Sequence, residues 1–183
     1  DIEQAILKKL VTDNGGEFSK VKLIPYTVTN VVASLKTDID AIWVYYAWDG
    51  IATERAGLKT NFLKLRDYGK ELDYYSPVII ANNDYLKANP EIAKKVLRAI
   101  KKGYEYAAKN PEESAKILVK NSPELDINLV TASQKWISKE YQSDAKEWGI
   151  IDANRWNRFY EWLYKNKAVE REIPKNFGYS NEY

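Results

Sequence analysis

The chain has no cysteine and no histidine among its 183 residues. As far as this chain supplies the groups, that excludes thiol chemistry, zinc sites of the usual ligand type, histidine-based triads and histidine general bases. A lack of cysteine also fits an extracytoplasmic protein that avoids stray oxidation. No run approaches the roughly 18 consecutive apolar residues of a membrane-spanning helix. Neither charge sign dominates: 28 Lys and Arg stand against 26 Asp and Glu, a net charge of +2. That is too little for a strong nucleic-acid or anionic-membrane field. There is no Gly-rich phosphate loop, since Gly15-Gly16 lacks the rest of any such motif. No Met begins the chain and no signal-peptide pattern is visible.

What is present is apolar enough to fold. Hydrophobic residues make up 45% and charged residues 30%, a balance that supports the core of one medium domain or two small ones. DIEQAILKKLV already reads as an amphipathic helix, with Ile6, Leu7, Leu10 and Val11 at helical spacing. A helix at residue one with no lead-in leads us to expect a missing N-terminal portion. Asn14-Gly15-Gly16 ends that helix. Val21–Ile24 is an expected strand stopped by Pro25, and Thr29 or Asn30 caps a helix through about Leu35.

AIWVYYAWDG, residues 41–50, is the densest aromatic stretch. Its first six residues read as a strand apolar on both faces, as in a buried parallel sheet. Asp49 or Gly50 then opens a helix through about Ala56, closed by Gly57. Phe62–Leu65 and Ser76–Ala81 are further expected strands, with an irregular YGKELDYY between them. The alternation over the first seventy residues argues an α/β unit with parallel pairing.

From Asp84 the chain is nearly all helical. Asn89-Pro90-Glu91 and Asn110-Pro111-Glu112-Glu113 are helix starts, with Glu113 placed for a capping-box bond. Ile92, Val96, Ile100, Tyr104 and Ala107 share one apolar face. Asp126 caps a helix carrying Leu129, Val130, Trp136 and Ile137. A last helix runs from about Asn154 through Trp156, Phe159, Tyr160 and Leu163. The tail, PKNFGYSNEY, looks irregular and mobile.

Three blocks in order carry a resemblance: AIWVYYAWDG, then YYSPVIIANNDYLKANPEIAKKVLRAIKKGYEYAAKNPEESAKIL, then WGIIDANRWNRFYEWL. They resemble the solute-binding protein family that includes bacterial pyrimidine-precursor and sulfonate binders and the fungal thiamine-pyrimidine synthases. YYAWDG resembles the thiamine-pyrimidine branch. The resemblance implies an α/β, type 2 periplasmic-binding-protein-like fold of two lobes, incomplete here, with ligand bound in the interlobe cleft. Residues 1–75 would be most of lobe two, and residues 76–183 the return strand and the helical part of lobe one. The first part of lobe one, with any signal peptide and lipid-attachment cysteine, would precede residue 1.

Ligands of open α/β sheets bind beyond the carboxyl ends of the strands. Strand 41–46 would end there at Tyr45-Tyr46. A flat heteroaromatic ring stacked on such residues gains roughly 0.5–1.5 kcal/mol beyond burial. Asp49 offers an anionic acceptor to an exocyclic amine or a protonated ring nitrogen, worth about 1.5–3 kcal/mol when buried. An aminopyrimidine has both the π-face and the amidine-like edge. The resemblance carries ligand contact onto Tyr45, Tyr46, Trp48 and Asp49, with Asn30 at another expected strand–helix turn. Plainer roles stand beside these. Trp43 reads as core, only one of Tyr45 and Tyr46 need face the cleft, and Asp49 and Asn30 each suit a helix N-cap. Trp136, Trp148, Trp156 and Trp162 read as helix packing.

The function implied is that of the solute-binding component of an ABC importer, closing on a thiamine pyrimidine precursor and docking on a membrane permease. It would be an extracytoplasmic lipoprotein with no cofactor, no metal and no catalysis. An alternative keeps the fold and changes the ligand to riboflavin, a sulfonate or another small aromatic. A sulfonate would call for Arg or helix N-terminal amides rather than Asp49. A pyrimidine-synthase enzyme, which consumes a histidine, has none to use in this chain.

Overall fold

Helices form where the sequence provides both an apolar face and an end signal. The computed structural model describes residues 2–25 and 27–183. Eight α-helices occur among the described residues: α1 (Ile2–Asp13), α2 (Val31–Ser34), α3 (Ile51–Arg55), α4 (Asn83–Ala88), α5 (Pro90–Lys109), α6 (Pro111–Asn121), α7 (Ile127–Ile137) and α8 (Ala153–Lys165). Asp1, the expected start of α1, lies outside the described residues.

Several ends fall where the sequence placed them. Gly15 at φ 78° follows α1, and Gly57 at φ 71° follows α3. Both occupy the left-handed region that glycine enters without a Cβ penalty. The Asp126 carboxylate accepts from the Asn128 and Leu129 N–H groups at 2.7 and 3.3 Å; α8, expected from about Asn154, has a cap the sequence reading did not name, Asp152, which accepts from the Arg155 N–H at 2.7 Å. The Asn-Pro starts work differently from expectation. Asn89 and Asn110 occupy the N-cap positions without a capping side chain. Each instead turns its amide back onto a carbonyl four residues earlier, Tyr85 at 3.2 Å and Tyr106 at 3.0 Å. Those side chains close the preceding helix rather than open the next. The Asn110 N–H is likewise spent on Tyr106, so a capping-box Glu113 has no donor to reach. Glu113 pairs with Lys116 at 3.6 Å instead.

The expected strands do not appear. Among the described residues none is paired into a ladder, so the α/β reading of residues 1–75 is not met by this structure. The backbone is extended at Val21 (ψ 120°), Tyr45 (ψ 108°) and Lys64 (ψ 116°). A strand also needs a neighbour about 4.7–4.9 Å away to take its N–H and C=O groups, and these segments have none. Many of their apolar side chains are exposed, among them Leu23, Trp43, Leu63, Val78 and Ile79, with Ile80 at 86%, although Leu65 packs on the core and Phe62 on Tyr46. Helices bond within their own segment, so they persist without such a partner. Part of the expected α5 face is open as well, with Ile92 and Val96 exposed.

The chain forms two compact units. One comprises Asp1–Tyr26, Leu63–Asn82 and Ile151–Glu182; the other comprises Thr27–Phe62, Asn83–Ile150 and Tyr183. The first unit is centred on Ile6, Leu72, Phe159 and Leu163, with Leu10, Leu65, Tyr68, Tyr74 and Trp162 packed around them. Tyr74 stacks on Phe159 at 4.1 Å and 10°. The Tyr75 hydroxyl accepts from the Asp152 N–H at 2.8 Å. The tail of this unit is tied down rather than loose: the Trp156 indole N–H donates to the Phe177 carbonyl at 2.9 Å, and the Asn181 amide pairs with the Ile151 backbone.

In the second unit α6 packs on α7, and α7 packs on α3 and on the turn that precedes it. Ile51, Ala93, Ala115 and Val130 are its buried apolar residues, and Thr53 its buried polar one. Tyr104 stacks on Trp148 and meets Tyr141 edge-on, so Trp136, Trp148, Trp156 and Trp162 all take the packing roles expected of them.

Candidate functional site

The extended segment ends at Tyr45 and the chain turns at once into a widened helical turn, Tyr46–Gly50, continuous with α3. The Tyr45 carbonyl accepts from both the Trp48 and Asp49 N–H groups, at 2.9 and 3.0 Å. The Ile51 N–H reaches the Tyr46 carbonyl, five residues back. That i to i+5 bond defines a π-turn, an uncommon feature found frequently at functional sites.

Five side chains determine this turn. The Tyr46 ring lies 4.4 Å from Phe62 and 4.9 Å from Trp136, tilted against both. Its hydroxyl donates to Glu54, and that bond, with burial second, raises the phenol's pKa above 10.0. Gly50 is buried because the Tyr46 ring occupies the space a Cβ would need: such an atom would lie 2.4 Å from the ring. The buried Thr53 hydroxyl shares its proton between the Asp49 and Gly50 carbonyls, at 2.7 and 2.8 Å.

The expected site residues therefore divide by position. Tyr45, at 63% exposure, and Trp48 present open rings. Asp49 sits inside the turn, while Gly50 holds the N-cap position of α3 without a side-chain cap. The capping role proposed for Asp49 is not the one it plays, and among the described residues nothing bonds to its carboxylate. Tyr46 has its ring packed and its hydroxyl engaged. Asn30 is a cap, its Oδ1 accepting from the Ala33 N–H at 2.9 Å. Trp43 is exposed rather than core.

Glu54, Thr53, Phe62 and Trp136 went unread in the sequence as parts of this arrangement, whereas Gly50, read as a helix opener, does hold the N-cap position of α3. Tyr46 and Gly50 at i, i+4 and Tyr46 and Glu54 at i, i+8 carry a helical signal that extends back past Asp49. Trp136, ninety residues away, carries none. Chemically the turn offers a π-face and a carboxylate. No group of His, Cys, Asp or Glu suited to a metal ion occurs among the described residues.

Comparison with known proteins defines the class. The chain belongs to the NMT1/THI5-like family, whose model matches residues 1–114, a span that includes the whole turn. A formylaminopyrimidine-binding protein of Halalkalibacterium halodurans is 23% identical over 186 residues, covering 98% of this chain and 56% of the relative. The chain thus spans about half the length of the curated relative it matches.

Proposed function

We propose that this chain is part of a solute-binding protein for an aminopyrimidine, a precursor of the thiamine pyrimidine. The observation that carries the reading is the Tyr45–Asp49 turn, an exposed aromatic pair beside a carboxylate with no bonded partner among the described residues. The relative's formylaminopyrimidine ligand has the chemistry to use it: a flat ring for Tyr45 or Trp48 and an amine edge for Asp49. A sulfonate would be repelled by the carboxylate, and riboflavin would use the rings alone.

In this reading the complete protein is a type 2 periplasmic-binding-protein-like molecule. Residues 1–75 belong to lobe two, and residues 76–183 supply the return to lobe one. Ligand closes the interlobe cleft, and the closed form is read by an ABC permease. The protein works outside the cytoplasm, anchored as a lipoprotein, and does no chemistry on its ligand. No described helix is long and apolar enough to cross a membrane.

The test is a fluorescence titration of the complete protein with a formylaminopyrimidine, with riboflavin and a sulfonate as comparators. Saturable change with the pyrimidine alone is expected. Asp49→Asn should lower that affinity about tenfold or more, the worth of one charge-assisted bond. Response to riboflavin or the sulfonate in its place would refute the ligand assignment. Unchanged affinity in Asp49→Asn would remove Asp49 from the site.

A further inference from the structure

We propose that Glu54 is the positioning residue of the Tyr45–Asp49 turn: by accepting the Tyr46 hydroxyl it locks the turn onto α3 and so sets where Trp48 and Asp49 project. The geometry points to this because the bond spans the whole device. Tyr46 is the first residue of the π-turn, and Glu54 lies in α3, beyond its end. Phe62 and Trp136 pack against the ring, tilted by 38° and 48°, and such apolar contacts are non-directional. The hydroxyl bond to Glu54 is directional and ties the far end of the ring to α3. The ring lies against Gly50, 2.4 Å from where a Cβ there would stand, so it touches the backbone next to Asp49. A widened turn is a sparsely populated arrangement that persists where its surroundings over-determine it, and Glu54 is the one exposed, charged member of that set.

The inference rests on the aminopyrimidine reading for what the turn touches, not for how it is held, and two readouts separate the claims. The first is amide hydrogen exchange on the ligand-free 183-residue chain. Glu54→Ala and Tyr46→Phe should each speed exchange at Trp48, Asp49 and Ile51 by roughly five- to tenfold, as expected for one hydrogen bond to a charged group discounted for exposure. The double variant should add nothing further, because both remove one bond. Glu54→Gln, which keeps an acceptor oxygen, should stay near wild type, and amides in the middle of α5 and α7 should not change. Unchanged turn amides, additive effects or uniform acceleration over α5 and α7 would each overturn the proposal.

The second readout is affinity of the complete protein for a formylaminopyrimidine. Glu54→Ala should weaken it roughly five- to tenfold, with recovery in Glu54→Gln. Unchanged affinity in Glu54→Ala would overturn the positioning role. No binding even by wild type would overturn the functional reading, while exchange still decides how the turn is held.

Discussion

Gly50→Ala is a test in which the sign of the effect carries the information. The Gly50 backbone is helical, at φ −61° and ψ −46°, so alanine meets no dihedral strain. On propensity alone the change should stabilise the protein by about 0.5–1 kcal/mol. The new Cβ, however, would fall 2.4, 2.9 and 3.0 Å from three carbons of the Tyr46 ring, where ordinary contact begins near 3.4 Å. To make room the ring must shift among neighbours whose centroids are already 4.4 and 4.9 Å away, Phe62 and Trp136, and disturb its bond to Glu54. Overpacking of this kind costs about 1–3 kcal/mol. The steric term wins, and Gly50→Ala should destabilise by about 1–2 kcal/mol net. Denaturant unfolding followed by tryptophan fluorescence measures this. In a Tyr46→Ala background the obstacle is gone, and the same substitution should become neutral or stabilising. A Gly50→Ala protein at least as stable as wild type, or the same loss with and without the Tyr46 ring, would refute the argument.

Other expectations follow from the same packing. Leu163, fully buried against Ile6, Leu72 and Phe159, should cost about 2–5 kcal/mol on truncation to Ala, read as a lowered unfolding midpoint. Asp152→Ala removes the α8 cap and should cost about 0.5–2 kcal/mol, whereas Asn should retain most of it. Bonds from the Asn128 and Leu129 N–H groups hold the Asp126 carboxyl below its ordinary 3.8. Its contribution to α7 is therefore complete above pH 3.8 and is lost as the pH falls through the lower folded value. Protection of the Asn128 amide against exchange should fall in that window and not above it. The 183-residue chain by itself should bind a formylaminopyrimidine weakly, since the proposed cleft needs both lobes; tight binding would refute the two-lobe reading.

The helices were legible because their signals are local. Gly15, Gly57 and Asp126 act within a few residues of themselves, and a helix satisfies its backbone from its own sequence. The packing roles of the tryptophans in α7 and α8 followed from helical spacing in the same way. The strands were not legible in this sense. Val21–Ile24, Phe62–Leu65 and Ser76–Ala81 have strand composition, but a ladder is a property of two segments, and composition reports only one. The Asn-Pro starts show the same limit on a smaller scale, since the pattern located the boundary but not which helix the asparagine side chain serves.

For the candidate site the division is sharpest at Tyr46. The sequence by itself determined that residues 45–49 gather aromatics and an acid where one element ends and a helix begins, because that transition is written in adjacent residues. Only the tertiary structure decided which rings stay open. Tyr46 is drawn inward by Phe62, Trp136 and Glu54, and Gly50 leaves it room, so the chain turns one residue after Tyr45 instead of continuing to Asp49. Tyr45 and Trp48 are left exposed, with Asp49 half-buried beside them. Two of the groups that impose this, Phe62 and Trp136, lie outside the turn and α3 in the chain, where no reading of residues 41–50 reaches them.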